Sequence, residues 1–186
     1  TPPLPIVPTL SVPPEIVVAI VGIETSYGRL TGSFRVIDAL ATLAFDYPRR
    51  APFFRGELKE FLLLSGEQGF TPLVPKGSFA GAMGVPQFMP GSFRRYAVDF
   101  DGDARIDLWG SAADVVGSVA NYLARHDWQP GGQTIVPAAI ADEHRDAVLR
   151  RLDGGMSERR PLDAWAGDGV APATLVEPVD EPVGLL

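Results

Sequence analysis

Proline placement restricts this chain more than any other feature. Proline removes a backbone donor and is excluded from helix interiors and central strands. Six of the 18 prolines lie within residues 1–14, and four more fall between Pro161 and Leu186. Both ends are therefore expected to be extended or irregular, with regular structure between them. Pro13 and Pro14 suit the first turn of a helix, where a missing N–H costs least, and Ser11 is placed to cap it. Ile16, Val17, Ile20, Val21 and Ile23 follow at helical spacing, and Gly28 is the expected stop.

Amphipathic spacing predicts further helices over Val36–Phe45, Pro52–Gln68, Met83–Met89, Ser92–Val98, Ala112–His126 and His144–Leu152, the last with Asp142 as its cap. There is no internal repeat, and little strand alternation precedes Thr134. The fold class is mainly α.

Composition then excludes several functions. With no cysteine there is no disulfide scaffold, thiolate zinc site or thiol nucleophile, and two histidines leave little for a multi-histidine metal centre. A net charge of −7 argues against a nucleic-acid partner, because counterion release needs a basic surface. No apolar run reaches the roughly 20 residues that span a bilayer. The first residues lack the basic and unbroken apolar regions of a signal peptide.

Glu24 is the first candidate for chemistry. On a helix it shares a face with Val17, Ile20 and Val21. Burial there would favour its protonated form, as a general acid requires; at the stripe's edge it would simply reach solvent. The segment from Lys76 to Pro90 is rich in glycine and small residues. Ser78 and Gln87 offer hydrogen bonds suited to sugar hydroxyls and acetamides, while Met83, Phe88 and Met89 offer apolar surface to pyranose faces. The alternative is a glycine-rich turn packed between helices, with Met and Phe in the core.

Several blocks together carry a resemblance. They are Gly22-Ile-Glu-Thr-Ser-Tyr-Gly28, Ala39-Leu-Ala-Thr-Leu43, Tyr47-Pro-Arg-Arg50, Gly77-Ser-Phe-Ala-Gly-Ala-Met-Gly84, Gln87-Phe-Met-Pro90 and Val119-Ala-Asn-Tyr122. In order and spacing, from about Val12 to Gly131, they resemble the lytic murein transglycosylase B family. That resemblance implies a lysozyme-like α domain over residues 12–131, preceded by a Pro-rich segment (1–11) and followed by a smaller irregular or helical part (132–186). It implies non-hydrolytic cleavage of the β-1,4 bond between N-acetylmuramic acid and N-acetylglucosamine, leaving 1,6-anhydro ends. Glu24 would be the catalytic residue. Ser78, Gln87 and Tyr122 would contact substrate, and Asn121 would support the helix beside Tyr122. Arg49 and Arg50 would meet lactyl or peptide carboxylates, for which a guanidinium fork is well shaped. Asp38 and Asp46 are weaker candidates for a second carboxylate. The implied partner is the peptidoglycan glycan strand, with other cell-wall enzymes as further candidates. The implied location is the periplasm, with outer-membrane anchoring through a segment absent from this chain as an option.

The segment Asp99-Phe-Asp-Gly-Asp-Ala-Arg-Ile-Asp107 sets carboxylates at positions 1, 3, 5 and 9 of a calcium-type loop. Asp99, Asp101 and Asp103, the Arg105 carbonyl and a late ligand from Asp114 form the expected cation site, with a structural role. Ala104 replaces the glycine usual at position 6, and Gly110 stands where a bidentate Glu is usual. The alternative is a solvated acidic turn with Asp114 capping the next helix.

The family pattern is not matched everywhere. Its later Asn and aromatic segment is not found after Gly131, and its helices before Val12 give way to the Pro-rich stretch, so the chain is expected to be an incomplete record. The competing reading is a catalytically impaired peptidoglycan-binding or scaffold module.

Overall fold

Pro13 precedes α1 (Pro14–Thr25) and needs no amide partner at the helix start, while Ser26 ends it in the left-handed conformation. The computed structural model describes residues 12–132, 135–152, 157–174 and 182–185. The Ser11 cap and the extended 1–11 segment lie outside these. β1 (Phe34–Arg35) leads directly into α2 (Val36–Phe45), which is followed by α3 (Ala51–Gln68), β2 (Lys76–Gly77), α4 (Pro90–Tyr96) and α5 (Ala112–Arg125). β3 (Ala138–Ile140), a 3-10 turn at Asp142–His144, α6 (Arg145–Arg151), α7 (Leu162–Gly167) and β4 (Val170–Pro172) complete the order.

The helix periodicity read from the sequence is largely what forms. Several local expectations change: α1 stops at Ser26, not Gly28, and the Pro-rich C-terminal end is not irregular throughout, since Pro161 directly precedes α7 and β4 follows it. The stretch Met83–Met89 is not helical: Met83 and Phe88 exchange backbone hydrogen bonds of 2.8 and 3.0 Å, closing a tight antiparallel turn. The next helix begins at Pro90, not Ser92, because Pro suits a first helical position. Asp142 lies within the 3-10 turn and does not cap α6.

Contacts divide the chain into two compact units, Thr1–Pro130 and Gly131–Leu186. In the first, α2, α3 and α4 enclose a cluster that includes Leu40, Phe61, Leu64, Met83, Phe93 and Leu108, all essentially inaccessible. Arg55 Nε bonds the Ala44 carbonyl at 3.0 Å, tying α3 to the end of α2. Glu57 Oε2 accepts the Gly91 N–H at 2.8 Å, setting a carboxylate at the start of α4. Arg94 pairs with Glu60 and grips Glu67 with two N–H donors. A smaller cluster of Val17, Val119 and Ala120 joins α1 to α5. β1 and β2 pair antiparallel, Phe34 opposite Gly77. Gly32, at φ +94°, permits that approach, since an added Cβ would lie 2.0 Å from the Gly77 carbonyl oxygen.

The second unit packs Val148, Trp165 and Val170 together, with β3 and β4 antiparallel. Trp165 Nε1 donates to the Val183 carbonyl at 2.9 Å, and the Arg160 guanidinium lies 4.8 Å from the Trp165 ring centre. Asp168 accepts from Arg160 and, at 2.6 Å, from Arg151. The hydrogen bond from Arg160, then that from Arg151, holds the Asp168 carboxyl below the usual aspartate range. A folded-state value below the unfolded one gives stability that is complete above about pH 4 and lost as pH falls through the lowered value. In carbon-13 NMR titration the Asp168 carboxyl should therefore titrate below free aspartate, and Asp168→Asn should remove this part of the acid sensitivity of the second unit. A midpoint at or above the free-aspartate value would contradict it.

Candidate active site and acidic loop

Glu24 sits in the last turn of α1, one turn beyond Ile20 and Val21 and two beyond Val17, the residues through which that helix meets α5. The covering stops short of it, and Glu24 is exposed. Of the two positions the sequence left open, Glu24 takes the one at the edge of the stripe, reaching solvent. Its neighbour Thr25 is the opposite case, buried to 1%. Thr25 Oγ1 donates to the Val85 carbonyl at 2.8 Å and accepts the Gly28 N–H at 3.0 Å. The chain then runs through three left-handed residues in succession, Ser26, Tyr27 and Gly28. Glycine takes that conformation freely, whereas each of the other two carries a cost of about 1–2 kcal/mol. The Ser26 N–H to the Gly22 carbonyl (2.9 Å) and the Tyr27 N–H to the Val21 carbonyl (3.3 Å) offset part of it.

The glycine-rich segment docks on this turn at two points. Thr25 reaches Val85, and Gln87 Nε2 donates to the Thr31 carbonyl at 3.1 Å. The same Gln87 nitrogen donates to the Gly84 carbonyl at 2.8 Å, which leaves its Oε1 as the acceptor that can face a ligand. Ser78 Oγ accepts from Ala80 N (3.3 Å) and Ala82 N (3.0 Å), folding the loop on itself while its own hydrogen can still be donated. Gly84, at φ +68°, lies so near Leu108 that a Cβ would come 2.6 Å from the Leu108 carbonyl oxygen.

Two expected sugar-facing residues are placed otherwise. Met83 is fully buried, and Phe88 is 8% exposed. Their backbone pairing turns both side chains into the main cluster, where they cannot offer a flat surface to a pyranose ring. Phe88 instead packs on Tyr122 at 5.5 Å, and Tyr122 stacks on His126 at 4.0 Å with Tyr96 edge-on at 5.2 Å. Asn121 Nδ2 donates to the Tyr96 carbonyl at 2.8 Å. Arg49 is exposed, and Arg50 lies over Phe53 and Phe54 at the start of α3. Asp38 is paired with Arg35 at 2.6 Å and Asp46 ends α2.

Two exposed aromatics were not legible as site candidates. Tyr27, 60% exposed, lines an apolar cleft of about 250 Å³ with Val18, Val21, Val85, Trp109 and Val116. Phe79, 73% exposed, stands between Ser78 and Ala80. The Tyr-Gly pair after the last apolar residue of α1 was the available signal for Tyr27.

The acidic loop is stitched to one face of α5. Asp114, Ser118 and Asn121 are spaced to share that face and are all buried. Ser118 Oγ accepts the Val98 N–H at 2.9 Å, and the two Asp114 oxygens accept the Phe100 and Asp107 N–H groups at 2.8 Å each. Ser111, not Asp114, caps the helix. Ala104 takes φ +68°, so the left-handed step usually given to glycine is kept with an alanine. Oxygens of Asp99, Asp101 and Asp114 lie within 4.8 Å of one another. Asp103 is not in that group, and its Oδ1 accepts the Arg105 N–H at 2.8 Å. The loop is linked to the neighbourhood of Glu24 through Val85, whose N–H donates to the Leu108 carbonyl at 2.8 Å and whose carbonyl accepts from Thr25.

No helix among the described residues is long and apolar enough to cross a membrane. A family model described as the transglycosylase SLT domain matches residues 6–184. Membrane-bound lytic murein transglycosylase B of Escherichia coli (strain K12) is 57% identical over 161 residues, covering 87% of this chain and 42% of the relative. Among solved structures, soluble lytic transglycosylase SltB1 from Pseudomonas aeruginosa is 49% identical with a TM-score of 0.77, over 89% of this chain and 55% of that one. Escherichia coli lytic transglycosylase Slt35 in complex with calcium is 45% identical with a TM-score of 0.76, over 90% of this chain and 51% of that one. SltB3 from Pseudomonas aeruginosa in complex with NAG-anhNAM-pentapeptide is 35% identical with a TM-score of 0.71, over 92% and 44%. The chain thus spans about half the length of the relatives it matches. Its mainly helical, lysozyme-like fold is the one that these neighbours share, and the chain belongs to the transglycosylase SLT domain family.

Proposed function

We propose that this chain carries the catalytic glutamate of a lytic murein transglycosylase that cleaves the β-1,4 bond between N-acetylmuramic acid and N-acetylglucosamine without water. The observation that carries this reading is Glu24, exposed at the end of α1 on a turn fixed by Thr25, in a chain of this family. Glu24 gives its proton to the glycosidic oxygen as the bond to the anomeric carbon breaks. As a carboxylate it then takes the proton of the muramic 6-hydroxyl, whose oxygen bonds to the same carbon. One carboxylate serves as acid and then base, where hydrolytic glycosidases use two. The anhydro-muramyl ligand of the SltB3 complex supports this product.

The Ser78 hydroxyl and the Gln87 Oε1 are the polar contacts for the sugars. Tyr122 contributes an edge of the site, and Arg49 and Arg50 are donors for lactyl or peptide carboxylates. Murein as substrate brings a periplasmic location with it. Substituting Glu24→Gln should lower the yield of anhydro ends from murein sacculi by at least ~100-fold, as loss of a positioned acid and base does. Retained activity would remove Glu24 from this role, and reducing ends in place of anhydro ends would remove the reaction.

The exposure of Glu24 favours one second reading, a saccharide-binding module without turnover. That module would bind glycan strands equally well as wild type and as Glu24→Gln, and would release no anhydro ends.

The acidic loop suits calcium, because its converging donors are hard carboxylate oxygens and one of them, on Asp114, is buried. Calcium there would join the loop to α5 and has no part in the proton transfers. At a hundredfold excess over Kd, binding adds about 2.7 kcal/mol, a rise of several degrees in Tm for a domain of this size. Calcium should therefore raise the Tm of the wild type, and Asp101→Asn should blunt the rise. An unchanged Tm at millimolar calcium would count against the site.

A further inference from the structure

We propose that Thr25 is a positioning residue for Glu24, acting through its hydroxyl on the Val85 carbonyl and the Gly28 amide. This rests on the reading of Glu24 as the acid and base. Thr25 is 1% exposed, so its oxygen is out of reach of bulk water and must be satisfied inside the protein. A hydroxyl has one hydrogen to give. Val85 O, at 2.8 Å, is much nearer than the Val21 carbonyl of the same helix, at 3.4 Å. The proton therefore goes outward to the glycine-rich segment, not back into α1. The oxygen at the same time accepts the Gly28 N–H, across the left-handed Ser26 and Tyr27.

One atom thus holds the helix end, the turn after it and the opposing loop. Val85 is itself held from its other side, where its N–H meets the Leu108 carbonyl at 2.8 Å, so the anchor is fixed. Loss of the hydroxyl leaves the Val85 carbonyl and the Gly28 amide without this partner, and the left-handed turn loses what opposes its relaxation. Glu24 directly precedes Thr25. If the last turn frays, Glu24 leaves the helical conformation and its side chain is no longer held in one direction from the α1 axis. Such a change alters where the proton is delivered more than it alters the surface that binds the glycan.

The test uses the whole chain as Thr25→Val, nearly isosteric but without the hydroxyl, and Thr25→Ser, which keeps it. Initial rates are read as anhydro ends released from soluble glycan strands of defined length, well below the Tm of each variant. Thr25→Val should lose about 10- to 100-fold in kcat with KM within about threefold, the range expected for a displaced catalytic group. Thr25→Ser should recover most of that kcat. The Gly28 amide should exchange at least ~10-fold faster with solvent in Thr25→Val and near the wild-type rate in Thr25→Ser. Should Thr25→Val not fold, Thr25→Ala replaces it under the same criteria. Wild-type kcat in the hydroxyl-free variant overturns the positioning role, and so does a Thr25→Ser variant as impaired as Thr25→Val. A wild-type chain that releases no anhydro ends, or an active Glu24→Gln, overturns the catalytic reading instead.

Discussion

Val85 is bonded from both sides, and the geometry around Glu24 depends on that residue. Its carbonyl receives the Thr25 hydroxyl and its amide reaches Leu108, so one residue, through the two peptide groups that flank it, joins the end of α1 to the acidic loop. The Gln87 amide adds a second tie, to Thr31, and Gly84 lets the backbone lie against Leu108 closely enough for the first. None of these contacts involves a charged group. In a water-poor setting such neutral hydrogen bonds contribute modestly when made, about 1 kcal/mol each, and cost more when one partner is lost.

The acidic loop is organised by the same economy of polar groups. Four backbone N–H groups near it, at Val98, Phe100, Asp107 and Val85, meet acceptors on Ser118, Asp114 or Leu108. Asp114 is the most buried of its carboxylates, and its two oxygens bridge the two arms of the loop. A cation held by Asp99, Asp101 and Asp114 would strengthen an arrangement that backbone amides already favour. The Ala104 substitution fits this picture, since the turn keeps its left-handed step under the hold of the Asp99 carboxylate on the Gly102, Asp103 and Ala104 amides.

The helices were legible because their information is local. Apolar spacing in α2, α3 and α5 and the prolines at the start of α1 act within a few residues. Glu24 stood out for the same reason, as a carboxylate in phase with Val17 and Val21. Its exposure was one of the two positions its place at the edge of the apolar stripe left open, and the helical wheel could not choose between them because it records direction and not how far the partner helix extends. Met83 and Phe88 were misplaced because glycine-rich sequence has no period from which to read a face. Their burial is decided by backbone pairing and by Tyr122, which comes from another helix. Thr25 was silent for a further reason: its partner is sixty positions away.

That separation says something about how the site comes into being. The Thr25–Val85 hydrogen bond spans 60 residues, and Gln87–Thr31 spans 56. Closing loops of this length costs chain entropy before either bond returns anything, and that cost grows only slowly with length. The chain between the bonded segments contains α2 and α3, whose packing in the main cluster is what brings those segments together. The isolated α1 peptide would carry Glu24, but nothing in it could hold the turn that aims it. The catalytic geometry proposed here is therefore a property of the assembled first unit and not of α1 by itself.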